Sequence, residues 1–219
     1  MYLSGIDPTI IQSVRYFTVD NFVGRAIKGY ENPKIIMTSA AAKALKNAQK
    51  ELNENGYSLV VYDAYRPQEA VDSFVKWAAD LNDNSAKAEY YPTTSKEDLF
   101  TLGYIAAKSG HTRGSTIDLT IIPTGEKIQP IKVGNRILSN GEVIPFLDDG
   151  TVDMGSSFDL FHPVSNHDTN LVSEEVIKQR NFLRAIMKKH DFKEYHEEWW
   201  HYTLANEPFP DTYFNFKVE

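Results

Sequence analysis

The sequence predicts a single α+β domain, and three observations carry that expectation. Several stretches space their apolar residues helically behind a capping residue. Others alternate, or run apolar over strand length. The stretch 122–153 is rich in Gly, Pro, Asn and Asp, with short apolar runs that read as hairpins. At 219 residues the chain is one domain, or at most two small ones, and we read 1–219 as one.

In chain order, residues 1–34 are punctuated by Gly5, Pro8, Gly24, Gly29 and Pro33 and read as an irregular arm with short strands, including Ser13–Thr18. Thr38 or Ser39 caps a helix to about Asn53, with Ala40, Ala44, Leu45 and Ala48 at helical spacing and Gly56 as the stop. Ser58–Tyr62 reads as a buried strand. It ends in the loop Asp63-Ala64-Tyr65-Arg66-Pro67, which feeds a helix from Pro67 to about Leu81, since proline suits a first helical turn. Residues 82–95 read as loop and about 97–107 as a short helix. Thr116–Ile121 alternates as a strand, with Ile117, Leu119 and Ile121 on one face and Thr116, Asp118 and Thr120 on the other. Hairpins over 122–153 form an insertion within the same domain. Ser173 caps a helix to about His190, with Glu174 and Glu175 suiting its first turn. Trp199–Leu204 is the final strand. No internal repeat or low-complexity segment is present.

Composition narrows the function. The chain is 42% hydrophobic with 12 Tyr, 12 Phe and 3 Trp, which is enough for a sizeable core. The net charge is -7 with no basic run, so nucleic acid is not an expected partner, because phosphate binding wants clustered Lys and Arg. Without cysteine there are no disulfides, thiolate metal sites or cysteine nucleophiles. No apolar run approaches the roughly 18 residues of a spanning helix. Met1–Ile10 lacks the layout of a signal peptide. The literal expectation is a cytoplasmic protein, or a periplasmic one if a signal peptide has been removed.

Two motifs carry chemistry. The first is Ser109-Gly110-His111-Thr112-Arg113-Gly114-Ser115-Thr116-Ile117-Asp118. The second is Glu198-Trp199-Trp200-His201-Tyr202. Together they offer two imidazoles, a metal-type carboxylate and a spare carboxylate. A catalytic zinc site needs that set: three protein ligands, an open position and a nearby base. Asp118 sits in an apolar strand, where a lone carboxylate is costly. Gly114 permits a tight turn that carries His111 back toward Asp118. His201 is expected on the face of the last strand shared by Trp199 and Thr203, with Glu198 just before that strand. Taken singly, each motif also reads as a loop histidine with a hydrogen-bonded strand carboxylate, or as an acidic turn before a core strand. Their combination points to zinc. His162, His167, His190 and His196 are read as non-ligands, and no His-Glu-x-x-His run is present.

At these residues the chain resembles the VanX-type D-alanyl-D-alanine dipeptidases, zinc peptidases related to D-Ala-D-Ala carboxypeptidases and to the hedgehog signalling domain. The resemblance extends to Asp20-Asn21-Phe22 after Tyr16, Tyr62-Asp63-Ala64-Tyr65-Arg66-Pro67, Met154-Gly155-Ser156-Ser157-Phe158-Asp159 and the tail Glu207–Phe214, in that order and over nearly the whole chain. It implies a central, mostly antiparallel sheet flanked by helices, as in hedgehog and the D,D-peptidases, and one zinc ion per chain. His111, Asp118 and His201 match the zinc ligands. Glu198 matches the catalytic base, Arg66 the arginine that steadies the oxyanion, and Asp159 the carboxylate that receives the substrate ammonium. Ser109 and Tyr16 match further substrate-pocket positions. Two departures stand out. The stretch from Asp118 to Asp159 is longer than in compact members, so that residues about 122–150 add a flap or a homo-oligomer contact, and Gly110 stands where a serine is often found.

The implied reaction is hydrolysis of the small-molecule dipeptide D-Ala-D-Ala to D-alanine, in peptidoglycan metabolism or glycopeptide resistance. Two alternatives stay open: a D,D-carboxypeptidase acting on peptidoglycan stem peptides, and a zinc-stabilised binding domain without catalysis.

Overall fold

A computed structural model describes all residues 1–219. Its centre is a five-stranded sheet in the order β1-β2-β3-β7-β6. β1 (Ile11–Gln12) pairs parallel with β2 (Tyr57–Asp63). β2 with β3 (Thr116–Pro123), β3 with β7 (Glu198–Leu204), and β7 with β6 (Phe192–Tyr195) are all antiparallel. The expected α+β domain with a mostly antiparallel sheet is therefore what forms. β4 (Lys132–Ile137) and β5 (Val143–Asp148) make a separate two-stranded hairpin inside 122–153.

The helices follow their caps. α1 (Ser39–Glu54) starts at Thr38, whose side-chain oxygen accepts from the Ala41 N–H. α4 (Glu174–Lys189) starts at Ser173, whose side chain accepts from the Val176 N–H. α1 packs on β2 and on α4, and α4 on β6. α2 (Gln68–Ala79) follows Pro67, and its Phe74 and Trp77 join an aromatic core with Tyr16, Phe22 and Phe161. β2 and β3 are buried on both faces, so the alternation of Thr116–Ile121 separates two buried environments rather than core from solvent.

Three expectations need correction. Ser13–Thr18 is not a strand: Arg15–Phe17 is a 3₁₀ turn, because Val14, Arg15 and Tyr16 all point inward, which alternation forbids. Residues 97–107 do not form a helix. A 3₁₀ turn covers Lys96–Asp98, and Lys96 Nζ caps the end of α2 by donating to Trp77 O and Asp80 O at 2.9 Å each. Leu99 and Ile105 are buried while Phe100 and Leu102 are exposed, and Gly103 takes φ 81°, so no helical face exists. The loop 82–95 does contain a single helical turn, α3 (Lys87–Tyr90).

Behind the sheet, Arg180 of α4 is 1% exposed and donates to three carbonyls: Met154 O (2.7 Å), Asn166 O (2.6 Å) and Val164 O (2.9 Å). It thereby fastens the segment 154–166 to α4. Beside it lies His167, 2% exposed, with neither ring nitrogen hydrogen-bonded. Burial, helped by the charges of Arg184 and Arg180, lowers the His167 pKa to about 4. A histidine buried neutral makes folding acid-sensitive. The unfolded chain takes up this proton near pH 6.5, but the folded chain does so only near pH 4.

Stability should therefore fall by about 3 kcal/mol as pH drops through that window. Denaturant unfolding at several pH values should show a steeper acid loss for the wild type than for His167→Phe. Equal slopes would remove His167 as the cause.

Candidate metal centre and substrate cleft

The site is assembled by strand register. Asp118 of β3 lies opposite Asp63 of β2 on one side and opposite His201 of β7 on the other. Directly paired residues share a face, so these three side chains stand in a row across the sheet. His111 enters from the 3₁₀ turn Gly110–Arg113 immediately before β3. Ser109 caps that turn, its Oγ accepting from the His111 N–H at 3.3 Å, and Gly114 ends it in the left-handed conformation at φ 78°. The turn brings His111 back to Asp118 as expected. A Cβ on Gly110 would lie 2.7 Å from Thr116 Oγ1, itself 2.9 Å from Thr203 Oγ1, so the threonine pair occupies the space a serine side chain would need.

One ligand atom each from His111, Asp118 and His201 fall within 4.8 Å of one another. His111 Nε2 is 3.3 Å from Asp118 Oδ2 and 3.3 Å from His201 Nδ1, and His201 Nδ1 is 3.1 Å from Asp118 Oδ1. His111 Nδ1 donates to the Ala64 carbonyl at 2.8 Å, which leaves Nε2 as the lone-pair nitrogen facing the cluster. Asp118 Oδ1 is buried and receives no hydrogen bond, an orphaned acceptor of the kind a cation satisfies. The donor set and the orphaned oxygen both suit a divalent metal. Burial alone would raise the Asp118 pKa, but the two imidazoles outweigh it and hold the carboxyl well below the usual range. Burial likewise opposes charge on His201, while the neighbouring carboxylates of Asp118 and Glu198 raise its pKa to about 9.

Glu198 opens β7, with Oε2 3.3 Å from His201 Nδ1. Regular alternation would place Trp199, not Glu198, beside His201. The strand is irregular here: Glu194 opposes Tyr202 while its neighbour Tyr195 opposes Glu198. The shared face expected for Trp199 and His201 is therefore not seen. The Trp199 indole turns to a separate small cavity and donates to Ser156 Oγ at 2.9 Å.

The cluster floors a cleft of about 210 Å³, whose walls include Tyr16, Arg66, Ser109, Asp159 and Glu198. The Arg66 guanidinium lies over the Tyr16 ring (4.9 Å) and the Phe74 ring (5.2 Å), with Nη2 3.6 Å from Asp118 Oδ2. Tyr16 donates its hydroxyl proton to Asp159 Oδ2 at 2.8 Å. Asp159 adopts φ 61°, a left-handed geometry that Asp tolerates better than most residues. Burial, reinforced by the charge of Asp118, pushes the Asp159 carboxyl well above its usual range. Such a carboxyl lacks a cation. All eight residues singled out in the sequence thus border one cleft.

The sequence reading passed over Asp63 and Tyr30. Asp63 is fully buried and accepts from Tyr30 Oη (2.7 Å) and Arg66 Nε (2.9 Å). The available signal was the one that exposed Asp118, a carboxylate ending an apolar strand. The remaining histidines stay outside the cluster. His162, although buried, contacts Glu142 at 3.0 Å, and the His190 ring pairs with Glu51 of α1 at 2.8 Å. His196 is exposed.

Comparison with known proteins identifies the family. The profile of the family described as D-Ala-D-Ala dipeptidase matches residues 1–137 and 146–219, so it omits only the turn of the β4–β5 hairpin and its flanks. The chain is 43% identical over 204 residues to a D-alanyl-D-alanine dipeptidase of Enterococcus faecalis, covering 93% of this chain and 90% of that protein. It is 39% identical to one of Streptomyces coelicolor, with the same coverage, and 38% identical to one of Enterococcus faecium over 94% and 91%. The chain belongs to the D-Ala-D-Ala dipeptidase family and is a metallopeptidase.

Proposed function

We propose that this protein hydrolyses the free dipeptide D-Ala-D-Ala to D-alanine, with one zinc ion held by His111, Asp118 and His201. The observation that carries the reading is the convergence of these side chains on an orphaned Asp118 oxygen, in a cleft that also holds Glu198, Arg66 and an uncompensated Asp159. The relatives' names supply the dipeptide. Zinc is the natural choice for two neutral imidazoles and one carboxylate.

When bound, zinc supplies a Lewis acid and brings the pKa of a water toward neutrality. Glu198 then takes the proton of the attacking water and returns one to the leaving amine. Arg66 lends its guanidinium to the oxyanion, a contribution of about 2.7–4 kcal/mol for one such donor. Asp159, steadied by Tyr16, receives the substrate ammonium. An ammonium is the cation the buried carboxyl lacks, and a free dipeptide carries one where a peptidoglycan stem peptide does not. Ser109 both caps the His111 turn and lines the cleft. Residues 122–153 are proposed as an insertion within the single domain 1–219. The family context suits peptidoglycan metabolism or glycopeptide resistance. No helix is long and apolar enough to cross a membrane.

Release of D-alanine from D-Ala-D-Ala should vanish on chelation and return with zinc. Full activity in demonstrably metal-free protein would overturn the assignment. Glu198→Gln should bind zinc normally while kcat falls by roughly 10²–10⁴-fold, the usual reach of general acid–base catalysis; near-wild-type turnover would reject Glu198 as the base. Asp159→Asn should raise KM for the dipeptide by roughly 10–100-fold, as expected for a lost charge-assisted contact, and should narrow the preference over a pentapeptide. A wild type that cleaves the pentapeptide as well as the dipeptide would favour a D,D-carboxypeptidase, and zinc content without turnover on either would favour a binding domain.

A further inference from the structure

Asp63 stands out among the buried charges. It is the last residue of β2 and faces Asp118 directly across the ladder, so two fully buried carboxylates sit opposite one another. Like charges in that position are destabilising, and an arrangement selected for stability alone would avoid it. What reconciles them is Arg66, which reaches both: Nε donates to Asp63 Oδ2 at 2.9 Å, and Nη2 lies 3.6 Å from Asp118 Oδ2. The Asp63 bond is the one side-chain hydrogen bond that Arg66 makes. The Tyr16 and Phe74 rings, with centres 5.1 Å apart, lie near the guanidinium at 4.9 and 5.2 Å and offer it no hydrogen bond, so they do not fix its rotation. Engagement of Nε by Asp63 fixes that rotation and leaves the terminal nitrogens for the cleft. The same Oδ2 is 3.5 Å from His111 Nδ1, on the side of the ring turned away from the metal cluster. Asp63 Oδ1 is anchored in turn by the Tyr30 hydroxyl at 2.7 Å.

We propose that Asp63 is a positioning residue for the hydrolytic step, acting through Arg66, with Tyr30 as its anchor. The proposal rests on the reading that Arg66 steadies the oxyanion.

The test is steady-state kinetics on D-Ala-D-Ala with zinc content and thermal melting for Asp63→Asn, Tyr30→Phe, Arg66→Ala and the double variant Asp63→Asn/Arg66→Ala. Asp63→Asn should lose roughly 10–100-fold in kcat, the usual effect of disturbing an outer-shell partner, with KM changed less than about threefold and zinc retained. Tyr30→Phe should lose less, in kcat again. The double variant should be no slower than Arg66→Ala alone, because Asp63 has nothing left to orient. Wild-type kcat in Asp63→Asn, or losses that multiply in the double variant, would overturn the proposal. Should Asp63→Asn melt below the assay temperature, Tyr30→Phe decides: a lower kcat at unchanged melting supports it and wild-type kcat overturns it. A slow Arg66→Ala beside an unimpaired Asp63→Asn would sink the Asp63 role alone. An Arg66→Ala enzyme at full rate would sink the Arg66 reading and this proposal with it.

Discussion

The site depends on a row of ionisable side chains laid across three adjacent strands: Asp63 of β2, Asp118 of β3 and His201 of β7. A slip of one residue in either ladder would turn a member of the row to the other face of the sheet. Register is therefore what holds the site together, and an irregularity in β2 between Val61 and Asp63 is what sets Asp63 opposite Asp118. Burying two carboxylates in the row is unfavourable by itself. The charge of Arg66 offsets part of that cost, and a divalent metal at the orphaned Asp118 oxygen would complete the balance.

Around this row the remaining parts arrive from chain segments next to the strand ends. His111 comes from the turn that precedes β3, Arg66 from the loop that follows β2, and Glu198 from the first position of β7. The C-terminal tail ties two of these segments together. The Phe214 N–H donates to Thr112 O beside His111, and Phe214 O accepts from the Gln68 N–H at the start of α2. Arg113 and Glu207 pair through two hydrogen bonds at 2.7 and 2.9 Å. On the far side, Arg180 holds the segment that carries Asp159. The catalytic geometry proposed here is thus braced by backbone and side-chain hydrogen bonds between segments remote in sequence.

Electrostatics give the cleft its chemical preference. Asp118, Glu198 and Asp159 line it with Arg66 and Lys108, so its carboxylates outnumber its permanent cations. Asp159 expresses the shortage most clearly, since burial and Asp118 together push its carboxyl upward. The cleft is small, about 210 Å³, which suits a dipeptide better than an extended chain.

Much of the fold was legible because the signals are local. The caps at Thr38 and Ser173, the turn glycine Gly114 and the apolar strand ended by Asp63 act within a few residues of themselves. The ligand-type residues were legible for the same reason, as a buried carboxylate without a nearby cation is costly and draws notice. What the chain alone did not disclose depends on contacts remote in sequence. Lys96 was drawn out of a helix to cap α2, and Val14–Tyr16 turned inward together to meet the aromatic core. The irregular pairing of β6 with β7 decided that Glu198 rather than Trp199 stands beside His201. Asp63 joined the site only because register sets it opposite Asp118. Sequence determined which groups were available and where elements begin and end; tertiary structure decided which groups meet, because meeting depends on register and packing between strands that the sequence separates by many residues.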